Sequence, residues 1–150
     1  MSGSNGKKQN VQKYDSLLLK NQLCFPLYAA SREILRLYTP LLKELDLTYT
    51  QYIVMMVLWE EKELKVTELG SRLFLDTGTL SPLLKSMEKK NLLCRTRSKS
   101  DERIVQVAVT KEGEALKERA VSIPQKIGSC VNLTAEEAEC LYKILYKIIG

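Results

Sequence analysis

Apolar residues recur at helical spacing along most of the chain and switch to strict alternation only between residues 92 and 109. The pattern predicts a helix that begins near Asn21 to Phe25 and runs to Leu37 or Tyr38. Pro26 then falls in its first turn, where no amide proton is needed. Thr39-Pro40 is expected to interrupt the helix and restart a short one through Leu45. Thr48-x-x-Gln51 is a capping box ahead of Tyr52 to Trp59, a run apolar nearly all round and therefore expected to be buried. Val66 to Leu73 reads as a short amphipathic helix. The turn Phe74 to Gly78 leads into a second helix that ends among Lys89, Lys90 and Asn91, where cations and Asn suit a C-terminus.

Leu92 to Arg97 and Ile104 to Val109 alternate around the charged turn Ser98 to Glu102, the signature of a hairpin. Thr110 caps a helix running through Leu116 toward Ile123, with Pro124 forcing a kink or break. Thr134-x-x-Glu137 boxes a last helix whose Ala138, Leu141, Leu145 and Ile148 form one apolar stripe, read as a dimer seam. The fold class is mainly α with a small β-hairpin wing: a winged helix-turn-helix with a helical dimerisation region from the N- and C-terminal helices. Residues 1–13 read as a flexible polar tail and 14–150 as one chain, with dimerisation helices over 14–47 and 111–150 and the winged-helix region over 48–110.

At 150 residues with 45% hydrophobic composition, the chain can bury one core. The net charge of +5 favours an anionic partner, but 18 acidic residues stand beside 23 basic ones, so placement matters more than the sum. No apolar run has membrane-spanning length and no secretory signal is evident, so a cytoplasmic protein is expected. Histidine is absent, which removes the commonest general base and the commonest zinc ligand. No cofactor, metal or catalytic residue is expected.

A major groove admits one helix, and short polar side chains or long donors on its N-terminal face reach base edges. Thr77, Thr79, Ser81 and Lys85 are placed for that role. The hairpin supplies Arg95, Arg97, Lys99 and Arg103, cations suited to a narrow minor groove. Asp101, two residues before Arg103, is expected to hold its guanidinium in place. Double-stranded DNA is the expected partner.

The four cysteines, Cys24, Cys94, Cys130 and Cys140, include no C-x-x-C pair. A helix N-terminus or phenol donors can stabilise a thiolate; Cys24 has the position, and Tyr28, Tyr38 and Tyr49 are candidate donors. Phe25, Tyr28 and Trp59 are candidates for an apolar vestibule favouring alkyl hydroperoxides. A sulfenic acid on Cys24 would condense with a second thiol. Cys130, in the loop-like Gly128-Ser129-Cys130-Val131-Asn132, is the best internal partner. Cys94 on a strand and Cys140 on a helix stripe read as structural.

Several blocks carry a family resemblance: Asn21-Gln22-Leu23-Cys24-Phe25, Leu27-Tyr28-Ala29-Ala30-Ser31-Arg32-Glu33, Leu47-Thr48-Tyr49-Thr50-Gln51-Tyr52, Leu75 to Lys85, and Asp101-Glu102-Arg103. From about Tyr14 to Ile149 the chain resembles the MarR family of bacterial winged-helix repressors and, within it, the organic hydroperoxide resistance regulators. Pro26 departs from the pattern, since other members often carry an ordinary helix former there. The resemblance implies a MarR-like fold and a homodimer repressing transcription from a pseudo-palindromic operator. It implies Cys24 as sensing thiol, Tyr38 and Tyr49 hydrogen-bonded to its thiolate, and Cys130 of the other subunit as resolving thiol, a small cellular thiol being the alternative trap. Oxidation by an organic hydroperoxide would then release the operator. Two rivals remain: a MarR-type repressor released by a phenolic or other small ligand with Cys24 incidental, and a thiol peroxidase.

Overall fold

The computed structural model describes residues 13–150; all but the last residue of the expected tail lies outside the described residues. Two 3₁₀ turns, Asp15–Leu17 and Leu19–Asn21, precede the helices α1 (Cys24–Lys43) and α2 (Tyr49–Glu61). There follow β1 (Glu63–Lys65), α3 (Val66–Leu73), α4 (Thr77–Lys89), β2 (Leu93–Arg97), β3 (Val105–Val109), α5 (Lys111–Ala120), α6 (Ile123–Cys130) and α7 (Ala135–Ile149). The chain divides into two compact units at Arg36 and Leu37. Among the described residues no helix is long and apolar enough to cross a membrane.

Two helical boundaries differ from expectation. α1 is a single helix with Pro40 inside it rather than two helices broken at Thr39-Pro40. Pro40 lies in the last turn, where a proline costs a single backbone hydrogen bond that the preceding turns can carry. Cys130 closes α6 rather than lying in a loop. Helix propensity outweighed Gly128 there, whose open surroundings impose no turn. Pro124 does break the chain as expected: α5 ends at Ala120, and α6 begins with Pro124 in its first turn.

The second unit is built around α2. Its N-terminus carries the predicted box, with Gln51 N donating to Thr48 Oγ1 at 3.2 Å and Thr48 N donating to Gln51 Oε1 at 3.1 Å. Tyr52, Val54, Met55, Val57, Leu58 and Trp59 are all buried, so the helix contributes to the core on most of its circumference. Leu69 of α3, Leu80, Leu84 and Met87 of α4, Leu93 of β2 and Val107 of β3 complete that core. Each such side chain contributes about 2 kcal/mol through removal from water, which is why these elements hold one arrangement.

The sheet has three antiparallel strands in the order β1-β3-β2, with Val107 buried at its centre between Leu64 and Arg95. The sequence pattern did not reveal β1. Three residues between two helices are too few for an alternation to show. Alternation along β2 turns Leu93 into the core and Cys94 outward, so Cys94 is exposed. Cys140 is likewise exposed on α7, a helix with no buried residue at all.

Two glycines set the close approaches. A Cβ on Gly70 would meet Leu75 O at 2.7 Å, because the chain folds back there and Leu75 N donates to Gly70 O at 3.0 Å. Phe74 closes α3 in the left-handed conformation, φ 54° and ψ 38°, which turns the chain into α4. A Cβ on Gly113 would lie 2.1 Å from Leu92 O, while Gly113 O accepts the indole Nε1–H of Trp59 at 2.8 Å. Because the obstructing atom belongs to the backbone, Gly113→Ala is expected to cost about 3 kcal/mol through forced displacement of α5. Thermal unfolding should show a melting temperature lower by roughly 10 °C; an unchanged one would mean that α5 shifts freely.

Candidate nucleic-acid interface and thiol site

Asp76 caps α4, whose outer face is exposed. Its Oδ1 accepts Thr79 N at 2.9 Å and its Oδ2 accepts Thr79 Oγ1 at 2.8 Å. These donors hold the Asp76 carboxyl below the ordinary carboxylate range, the backbone amide acting most strongly and the hydroxyl next. Thr79 is therefore partly engaged in the cap, and Ser81 Oγ donates to Thr77 O at 2.8 Å. Thr77, Thr79, Ser81 and Lys85 are all exposed on this helix. Asp76 as cap was missed by sequence reading, although an Asp three residues before Thr79 carried the signal.

The wing brings Arg95 and Arg103 beside α4. Thr77 and Ser81 of α4 line one open cleft of about 180 Å³ together with Arg95, Arg103, Lys65 and Thr67. Within the tip, Ser98 N donates to Ile104 O at 2.8 Å and Ile104 N donates to Asp101 O at 2.9 Å. Asp101 does not hold the Arg103 guanidinium. Its Oδ1 accepts the Arg103 backbone amide at 3.0 Å, an Asx-type turn that shapes the tip and leaves the guanidinium without an ion-pair partner among the described residues.

Arg95 also departs from expectation. Its guanidinium forks onto Glu88 Oε2 from Nε at 3.1 Å and Nη2 at 2.8 Å, and its backbone amide donates to Glu88 Oε1 at 2.9 Å. Arg95 thus ties the wing to α4 through Glu88. The fork and the amide together hold the Glu88 carboxyl below its usual range. Arg97 and Lys99 remain exposed cations without carboxylate partners among the described residues.

The thiol residues divide between the two units. In the first, Cys24 is the exposed first residue of α1 and Tyr28 lies one turn further along the same face. The Tyr28 hydroxyl accepts from Arg32 Nη1 at 3.3 Å, with the guanidinium 5.5 Å from the ring centroid. In the second, Tyr38 and Tyr49 meet edge to face at 4.9 Å, and Tyr52 packs 5.9 Å from Tyr38. Burial pushes the Tyr38 and Tyr49 hydroxyls above the ordinary phenol range, with mutual repulsion adding to Tyr38, so both remain protonated donors. Trp59 is not a vestibule wall: it is buried against Tyr52, with its N–H committed to Gly113. Cys130, at the end of α6, is exposed. Among the described residues no group of side chains could hold a metal ion.

A family model for the transcriptional regulator SarA/Rot matches residues 36–120. The chain is 45% identical over 137 residues to the organic hydroperoxide resistance transcriptional regulator of Bacillus subtilis, covering 91% of this chain and 93% of that one. It is 47% identical over 132 residues to the regulator SarZ of Staphylococcus aureus, covering 88% and 89%. Among solved structures, reduced AbfR bound to DNA, a Staphylococcus epidermidis protein, has a TM-score of 0.74 at 31% identity, covering 95% of this chain and 96% of its own. AbfR with a disulfide formed has a TM-score of 0.65 at 34% identity, covering 99% and 100%. These relatives are regulators and not enzymes, which removes the thiol peroxidase reading. Family match, sequence identity and the shared helix-turn-helix with wing agree: the chain belongs to the SarA/Rot group of MarR-type winged-helix transcriptional regulators, alongside the organic hydroperoxide resistance regulators.

Proposed function

We propose that this protein is a cytoplasmic, homodimeric repressor that reads a pseudo-palindromic operator and lets go of it when an organic hydroperoxide oxidises Cys24. The observation that carries the reading is an exposed thiol at the first position of α1 in a chain 45% identical to a hydroperoxide resistance regulator. Thr77, Thr79, Ser81 and Lys85 enter the major groove, and Arg97, Lys99 and Arg103 follow the adjacent minor groove. Dimerisation is supported by α7, where Leu141, Tyr142, Ile144, Leu145, Tyr146 and Ile148 are all exposed and would face the partner.

The Cys24 thiolate, favoured by the helix N-terminus and by the phenol donors Tyr28, Tyr38 and Tyr49, attacks one peroxide oxygen; the O–O bond breaks and the alcohol leaves. The resulting sulfenic acid is attacked by a second thiol, Cys130 of the partner subunit or a small cellular thiol, and water leaves as the disulfide forms. Loss of the hydrogen bonds to the thiolate and repacking of α1 then favour a dimer whose recognition helices no longer match one turn of DNA.

The test is non-reducing mass spectrometry after one equivalent of cumene hydroperoxide, with operator binding followed on the same sample. Cys24 should carry the first added oxygen or its disulfide in proportion to DNA release. Release with Cys24 still a free thiol would sink the proposal.

A further inference from the structure

One strong polar connection ties α4 to the wing. Glu88, on the last full turn of α4, takes three hydrogen bonds from the single residue Arg95: one from the backbone amide at 2.9 Å and two from the guanidinium at 3.1 and 2.8 Å. An exposed ion pair between mobile side chains ordinarily contributes little. This one differs in two respects. Both side chains are about two-thirds covered, and one bond goes to the main chain of β2, so it fixes the strand as well as the side chain.

The sheet carries that fixation outward. Arg95 pairs with Val107, Thr96 with Gln106 and Arg97 with Val105 in the β2–β3 ladder, and the tip beyond holds Lys99 and Arg103. Displacing the Arg95 main chain therefore displaces every wing cation at once. Leu84 and Met87 of α4 share the buried core with Leu93 of β2, and the turn between the elements is closed by Leu92 N donating to Met87 O at 3.1 Å; these hold the near end of β2, whereas Glu88 reaches further along the strand to Arg95.

We propose that Glu88 is a positioning residue that sets the span between the major-groove helix and the minor-groove wing, so that one protomer engages both grooves in register. The inference rests on the reading that α4 and the wing both contact the duplex. It makes the opposite forecast from a simple charge mask. If Glu88 only neutralised Arg95, removing it would free a cation beside DNA, raising affinity and steepening the salt dependence by about one phosphate contact. A positioning role instead requires that affinity fall although the protein becomes more positive.

The experiment uses the full-length protein and a duplex selected by it from a random-sequence pool, with hydroxyl-radical footprinting beside affinity measurements. Glu88→Ala should weaken specific binding about tenfold and lose the flanking minor-groove protection while keeping the central protection. Glu88→Gln keeps a carbonyl oxygen for the Arg95 amide but loses the fork, so it should recover part of both, whereas a purely charge-based role makes it behave as Glu88→Ala does. Arg95→Gln, which removes only the fork, gives an independent reading of the flank should Glu88→Ala unfold. Tighter binding by Glu88→Ala, or unaltered flanks in Glu88→Ala or in Arg95→Gln, overturns the inference. Absence of flanking protection in the wild-type protein instead overturns the underlying reading that the wing contacts DNA.

Discussion

Cys24→Ser is expected to bind the operator within about twofold of the wild-type protein and to stay bound in the presence of cumene hydroperoxide, whereas wild-type affinity falls about 100-fold. Serine preserves the size and hydrogen-bonding capacity of the side chain but cannot form a sulfenic acid, so the substitution separates the oxidation step from the fold. The reason for expecting a large effect is arithmetic. A hundredfold loss corresponds to about 2.7 kcal/mol of difference between the two states, which a few broken hydrogen bonds and a new disulfide can jointly supply. The exposure of Cys24 in the first turn of α1 makes the thiol accessible to an alkyl peroxide without prior opening. Gel-shift titrations of both proteins with and without oxidant decide the matter. Operator release from the serine protein by a phenolic compound, with no oxidant present, would favour the rival in which Cys24 is incidental.

Arg103→Ala should weaken operator binding by roughly 10- to 30-fold and lower the slope of log affinity against log salt by about one. The structural warrant is that Asp101 spends its carboxylate on the Arg103 amide, shaping the turn while leaving the guanidinium available. Arg97 and Lys99 are exposed on the same hairpin and should give smaller, additive losses if they meet phosphates only. An unchanged salt slope for Arg103→Ala, measured by fluorescence anisotropy between low and moderate salt, would show that this side chain does not reach the duplex.

Local patterning made much of the fold legible. The boxes at Thr48 and Thr134 and the cap at Thr110 form as read, each through a threonine hydroxyl accepting the amide three residues on. The run from Tyr52 to Trp59 is buried on most faces because it has almost no polar position to turn toward water. The hairpin appears in the expected place because alternation over five residues leaves only one register with Leu93 and Val107 inward. Side-chain partners depend on more than local pattern. Asp101 takes the Arg103 backbone amide instead of the expected guanidinium, since an amide two residues on is closer to an aspartate than the end of a long guanidinium arm.

What the amino-acid order determined by itself is whatever depends on neighbours within a turn or a pleat: where the capped helices α2, α5 and α7 begin, where the β2–β3 hairpin lies, and that a thiol stands at the start of the first long helix. The tertiary structure alone decided which distant groups meet. Trp59 is a core residue because Gly113, far along the chain, presents a carbonyl to its indole, and Gly113 must lack a side chain because Leu92 crosses there. Arg95 braces the wing instead of extending freely because Glu88 comes round on α4 to receive it, and β1 exists only because β3 offers it an edge. The division is physical: periodicity is written in contacts three or four residues apart, whereas a hydrogen bond between remote segments depends on how the whole core packs, and no short window of sequence contains that information.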